Sequence, residues 1–168
     1  LILSLMMIPG LLTLIPMFVL INSMGLMNNL AALILPGIAG GQIFGIFLLR
    51  SFFSTIPEEL FEAARMDGAT DFQSFTKIGM PMCVPSMITL SIMNILGTWN
   101  DLIWPMIVIT EDKLRTITIG LSFFRIQYYT NWGPLFAGYV IASIPLLLLF
   151  MFTSKYFISG LTQGALKA

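Results

Sequence analysis

A chain of 168 residues that is 57% hydrophobic and 10% charged, with a mean hydropathy of +0.93, has the composition of a membrane protein. A formal net charge of zero, with no basic patch interleaved with aromatics, argues against nucleic acid as a partner. With no histidine and a single cysteine, Cys83, the chain can form no internal disulfide and offers no zinc site.

A spanning helix needs ~20 mostly apolar residues. Four runs reach that length: Leu1 to Ile21, Leu30 to Leu49, roughly Val84 to Ile109 and roughly Leu135 to Phe157. They predict an all-α, polytopic membrane bundle forming a single domain over residues 1–168. The first run opens at Leu1 with neither an initiator methionine nor a basic leader. We read this as a chain lacking its natural N-terminus, with one or more earlier spans before it, and not as a signal peptide. Pro9 and Pro16 fall in the first run and Pro145 in the last, where neighbouring helices or water can satisfy the freed carbonyls; a static kink is the expected role. In the second run Gly37, Gly41 and Gly45 recur at four-residue spacing, a packing signal that lets helices approach closely.

Four spans put the 50–82 loop and the C-terminus on one side, with Arg50, Arg65, Lys77, Lys155 and Lys167. Lys113, Arg115 and Arg125 fall on the other side. Orientation follows Lys and Arg, so the first side is expected to be cytoplasmic. Tyr128, Tyr129 and Trp132, with Trp99 and Trp104, would then form an outer aromatic belt.

Eight of the sixteen charged residues lie between Arg50 and Lys77. Thr55-Ile-Pro-Glu58 predicts a helix start, with Thr55 capping, Pro57 early in the helix and Glu58 closing a capping box. Pro57, Leu60, Phe61 and Ala64 share about 100° of arc on a 3.6-residue period. Glu58, Glu59 and Glu62 take the opposite side. Gly68, after Asp67, suits a left-handed C-terminal cap. Thr70 can cap a second helix with Gln73 three residues on; Phe72, Phe75 and Gly79 share its face, and Pro81 is expected to limit its length. The product is a helix–turn–helix over residues 55–81 at the cytoplasmic surface. A helix with Leu60 and Phe61 on one side and carboxylates on the other suits a groove on a soluble partner.

In the third run Ser91, Asn94, Thr98 and Asp101 fall within about 80° of one helical face. Such a stripe should face the bundle interior or a watery path. It reads either as the lining of a path for a hydroxylated solute, with Trp99 or Trp104 available to stack on sugar rings, or as interhelical hydrogen bonding beside an interfacial belt. The 116–133 segment, with Thr-Ile-Thr-Ile followed by Phe123 and Phe124, does not separate strand from surface helix.

Glu62-Ala63-Ala64, three residues, Gly68, nine residues, then Ile78-x-Met80-Pro81 resembles the EAA-x3-G-x9-I-x-L-P signature of permease subunits in binding-protein-dependent ABC importers, departing only at Met80. Three further stretches are similar to the carbohydrate-importing branch, the maltose-type "G" permeases. These are Phe47-Leu-Leu-Arg50 leading into Ile56-Pro-Glu-Glu-Leu60, Thr98-Trp-Asn-Asp101 leading to Trp104-Pro-Met, and the tail Gly160-Leu-Thr-Gln-Gly-Ala-Leu-Lys167. The resemblance implies that the four spans are the last four of six. It implies an elbow (Leu60, Phe61, Glu62, Ala63, Ala64, Asp67, Gly68, Ile78, Pro81) seated in a cleft of a cytoplasmic ATPase, with Glu62 paired to a basic residue, Ala63 and Ala64 allowing close approach and Gly68 setting the turn. The tail, through Gly160, Gln163, Gly164 and Lys167, is implied to reach the ATPase as well. The implied partners are a second permease subunit, two ATPase copies, an extracytoplasmic sugar-binding protein and membrane lipid.

The chain has no G-x-x-x-x-G-K-S/T phosphate loop, so it is expected to bind no cofactor and to draw its energy from a partner. The nearest alternative is the same machine with another solute, such as an amino acid, phosphonate or polyamine. An intramembrane enzyme would need convergent reactive groups that the spans lack, and an ion-coupled carrier would need a charge near the midplane.

Overall fold

The computed structural model describes residues 2–126 and 129–165, with side chains over 4–124 and 130–154. In chain order the elements are α1 (Ile2–Met6), α2 (Gly10–Ser23), α3 (Ala31–Phe53), α4 (Glu58–Met66), α5 (Asp71–Ser74), a π-helical turn (Phe75–Gly79), α6 (Met80–Asn100) and α7 (Ile103–Val108). A 3-10 turn (Asp112–Leu114), α8 (Ile117–Ser122), β1 (Arg125–Ile126), β2 (Tyr129–Thr130) and α9 (Trp132–Ala165) complete the chain. The two short strands pair antiparallel, Arg125 opposite Thr130 and Ile126 opposite Tyr129.

Among the described residues, three helices are long and apolar enough to cross a membrane: α3, the continuous Asp71–Asn100 stretch, and Trp132–Ser154 of α9. Only 11% of the most apolar window of α3, and of α9, is buried within the chain. That surface is left to lipid or to other subunits. The first apolar run does not form one span. Pro9, in extended conformation (φ −62°, ψ 128°), divides it, because its ring and missing N–H end α1 and open α2. The 14 residues of α2 cover only about 21 Å at 1.5 Å per residue. Pro16, Pro36, Pro85 and Pro145 are all carried inside helices. The third run also ends early: α6 stops at Asn100, and the chain turns before α7.

The chain divides into two compact units. One comprises residues 1–43 and 94–151, the other 44–93 and 152–168. The core of the first is built on Ile21, Ala32, Trp104, Val108 and Ile109, with Leu14, Met17, Phe18 and Leu33 packed against it. Trp104 is 6% exposed, and its Nε1–H donates to the Ala32 carbonyl at 2.8 Å. In α3 that carbonyl would ordinarily be taken by the residue four positions on, but this residue is Pro36, which has no N–H. The indole therefore supplies the donor that the proline removes. Trp104 is thus not a member of an interfacial belt or a stacking platform: Pro105 and the short α7 turn it into the core.

A second pin sits at Asn28, whose backbone is left-handed (φ 55°), a conformation asparagine tolerates better than most residues. Its Oδ1 accepts from Thr110 N (2.6 Å), Thr110 Oγ1 (2.9 Å) and Glu111 N (3.1 Å), while its own N–H donates to the Val108 carbonyl at 3.0 Å. The groups are partly solvated, so Asn28→Ala is expected to cost about 1 kcal/mol locally. Amide exchange at Thr110 and Glu111 should then quicken roughly fivefold; unchanged exchange would show that the corner is held by packing alone.

In the second unit, the Gly45 position on α3 lies against α6: a Cβ there would sit 3.3 Å from Leu90 Cδ2. Gly41, in the first unit, similarly faces Asn94, with Oδ1 at 3.1 Å from an added Cβ, whereas Gly37 meets nothing within 4 Å. Two of the three spaced glycines therefore serve close approach.

Candidate functional site

The charged segment after α3 folds as two helices joined by a capped turn. Thr55 does not open α4. Its Oγ1 donates to the Phe52 carbonyl at 2.8 Å, and Ser54 Oγ likewise to Ser51 at 2.7 Å, so both hydroxyls close the end of α3. Pro57 is the residue preceding α4, with no side-chain cap bond. Glu58 and Glu59 in the first turn and Arg65 in the last complement the helix dipole. The turn that follows is a full Schellman motif. Ala69 N donates to Ala64 O (2.9 Å), Gly68 N donates to Arg65 O (3.0 Å), and Gly68 takes φ +81°. Thr70 and Gln73 then form the reciprocal capping box, with Thr70 N donating to Gln73 Oε1 at 2.9 Å and Gln73 N to Thr70 Oγ1 at 3.3 Å. The Arg65–Asp71 ion pair, 3.9 Å apart between side chains 58% and 96% exposed, contributes little.

No residue of α4 is buried. Glu62, Ala63, Asp67 and Gly68 are exposed; Phe61 and Ala64 are half-buried. Leu60 is 41% exposed, Met66 88% and Phe72 74%. The helix thus holds out acids and uncovered apolar groups together, which a partner can bury. Pro81 is exposed and does not end the second helix. The π turn carries the chain from α5 into α6, its wider register bringing Met80 N to Phe75 O, and Pro81 sits in the first turn of α6 with Ile78 half-buried just before it. The ring of Phe53, the last residue of α3, stacks on Phe75 at 5.8 Å and 14°.

In the first unit, Asn94, Ile95, Thr98 and Trp99 at the end of α6, with Thr116 and Ile117 at the start of α8, line an open hollow of about 430 Å³. Two members of the predicted stripe, Asn94 and Thr98, come together there. The other two do not. Ser91 Oγ donates back to the Met87 carbonyl at 2.8 Å. Asp101 lies past the helix end, where its Oδ1 accepts from Trp104 N at 3.4 Å and its carbonyl accepts from Thr118 Oγ1 at 2.9 Å. The second wall was not legible in the sequence, although Thr116 carries a recognisable signal, capping α8 through Ile119 N at 3.5 Å. Trp132 is exposed and stacks on Phe136 at 5.7 Å. Gly160, Gln163 and Gly164 lie on the last turns of α9. Their side chains, together with Tyr128 and Lys167, lie outside the described residues.

Residues 1–163 match the family described as "Binding-protein-dependent transport system inner membrane component". The chain is 43% identical over 155 residues to the probable ABC transporter permease protein YurM of Bacillus subtilis, covering 92% of this chain and 52% of that one. It is 36% identical over 167 residues to the arabinooligosaccharides transport system permease protein AraQ of Halalkalibacterium halodurans (99% and 59%). It is 32% identical over 152 residues to the trehalose/maltose transport system permease protein MalG of Thermococcus litoralis (90% and 55%). The chain therefore spans little more than half the length of these curated relatives. Among solved structures, a bacterial ABC transporter involved in the import of the acidic polysaccharide alginate superposes with a TM-score of 0.65 at 25% identity, over 85% of this chain and 55% of that one.

Proposed function

The chain belongs to the family of binding-protein-dependent transport system inner membrane components, and from that premise we propose that it forms one of two membrane-spanning halves of an ATP-driven carbohydrate importer. The relatives named for arabinooligosaccharides, trehalose/maltose and melibiose/raffinose/stachyose support a sugar as the solute. A second permease subunit completes the path, an extracytoplasmic sugar-binding protein delivers the solute, and two copies of a cytoplasmic ATPase supply the energy. The chain carries no phosphate loop of its own.

The observation that carries this reading is α4, a helix with no buried residue, closed by a glycine turn and presenting Leu60, Met66 and the Glu62 carboxylate outward. It docks in the ATPase cleft through Leu60, Phe61, Glu62, Ala63 and Ala64, while Asp67, Gly68, Ile78 and Pro81 shape and hold the turn. The C-terminal stretch, Gly160 to Lys167 with Gln163 and Gly164, meets the ATPase from the same side of the membrane. Asn94 and Thr98 face the solute path, with Trp99 beside them.

Orientation is the direct test. Met66→Cys, placed in a Cys83→Ala background, is expected to react with an impermeant maleimide in inverted vesicles and to stay unlabelled in intact cells. Labelling from outside would put the elbow on the wrong face and end the reading.

A further inference from the structure

We infer that Phe53 is the positioning residue that makes α3 and α6 move together when the elbow moves; this rests on the elbow being the ATPase contact. Its ring lies between the two ends of the π turn. Phe75 stacks against it at 5.8 Å, and at the other end a Cβ added to the buried Gly79 would fall 2.7 Å from Phe53 Cε1, so a side chain there must displace the ring. Phe53 is the last residue of α3, and the π turn runs directly into α6. The ring therefore stands where two long helices meet the elbow.

The path of force follows from what is held and what is free. α4 has no fully buried residue; it is joined to α3 by residues 54–57 and to α5 by the capped turn at residues 67–70. From Asp71 onward the chain is one helical rod of 30 residues, about 45 Å long at 1.5 Å per residue. Displacing the elbow pulls on both helices, on α3 through residues 54–57 and on the rod through the capped turn, and the Phe53 ring, packed on Phe75 and Gly79, holds the two ends in step. Without the ring the two helices would move by different amounts. The π turn fits this use: its extra residue widens the helix at the point of load, and such turns recur at functional sites.

The test uses the complete importer in proteoliposomes, supplied with labelled arabinooligosaccharide, maltose or melibiose, whichever the unaltered protein takes up. Gly79→Ala drives a methyl group into the ring. Sugar moved per ATP hydrolysed is expected to fall about tenfold, within the range of ordinary coupling energies, while the ATPase co-purifies undiminished and still hydrolyses ATP. Phe53→Leu removes Cε1, Cε2 and Cζ; it should lower the ratio modestly by itself and raise it again in the Gly79→Ala background. Normal transport by Gly79→Ala, loss of the ATPase from that complex, or a double variant no better than Gly79→Ala would each overturn the inference. If Gly79→Ala does not reach the membrane, the double variant decides alone. A ratio matching Phe53→Leu upholds the wedge, and a lower ratio or an absent protein overturns it. If Met66→Cys in the otherwise unaltered complex cannot be cross-linked to the ATPase, it is the docking reading that fails, whatever Phe53 does.

Discussion

Gly68→Val is expected to leave the chain in the membrane and to release the ATPase subunits from it. At φ +81° the backbone at this position is left-handed, which a β-branched residue adopts only under strain of about 1–3 kcal/mol. Relief of that strain would break the bonds from Ala69 N to Ala64 O and from Gly68 N to Arg65 O. α4 would then fray at its C-terminal end and leave the direction the turn sets. A loss of this size lowers the affinity for the partner roughly 5- to 150-fold at 1.4 kcal/mol per decade. Affinity capture of the solubilised complex reads the outcome, with Gly68→Asn as the mild control because asparagine accepts the left-handed region. ATPase recovered in full with the valine variant would defeat the proposal.

Trp104→Ala should have the largest effect on stability. It empties the centre of the first unit's core, at a typical cost of about 3–5 kcal/mol for a buried aromatic. It also leaves the Ala32 carbonyl without its donor. Trp104→Phe keeps most of the packing and loses only the hydrogen bond, so its cost should be nearer 1–3 kcal/mol. Thermal unfolding of the purified protein in detergent separates the two. If the alanine variant melts with the unaltered protein, the indole is not the anchor described here.

How much of this was legible beforehand differs from residue to residue, for physical reasons. Gly68 and the Thr70–Gln73 box could be read because each is a local device, complete within six residues of chain. Thr55 could not, because a hydroxyl between two helices can close the first or open the second, and it does the former. Pro81 was expected to stop a helix that in fact continues, because the π turn before it loosens the register a proline would otherwise break. Of the four residues in the polar stripe, Asn94 and Thr98 meet at the hollow, Ser91 turns back to its own helix, and Asp101 lies beyond the end of α6, where it accepts from Trp104 N. Trp104 and Phe53 depend on partners distant in the chain, and one-dimensional periodicity carries no sign of them; Thr116 is readable as the cap of α8, but not as a wall of the hollow.

The exchange between Pro36 and Trp104 ties together two positions that otherwise look unrelated. As long as the proline stays, the carbonyl four residues before it needs an outside donor, and the indole can be traded only for another side chain that reaches it with an N–H or O–H. Were an ordinary residue to replace the proline first, the helix would satisfy itself and the aromatic would be free to drift. The order of the two changes would decide whether a descendant survives the step between them.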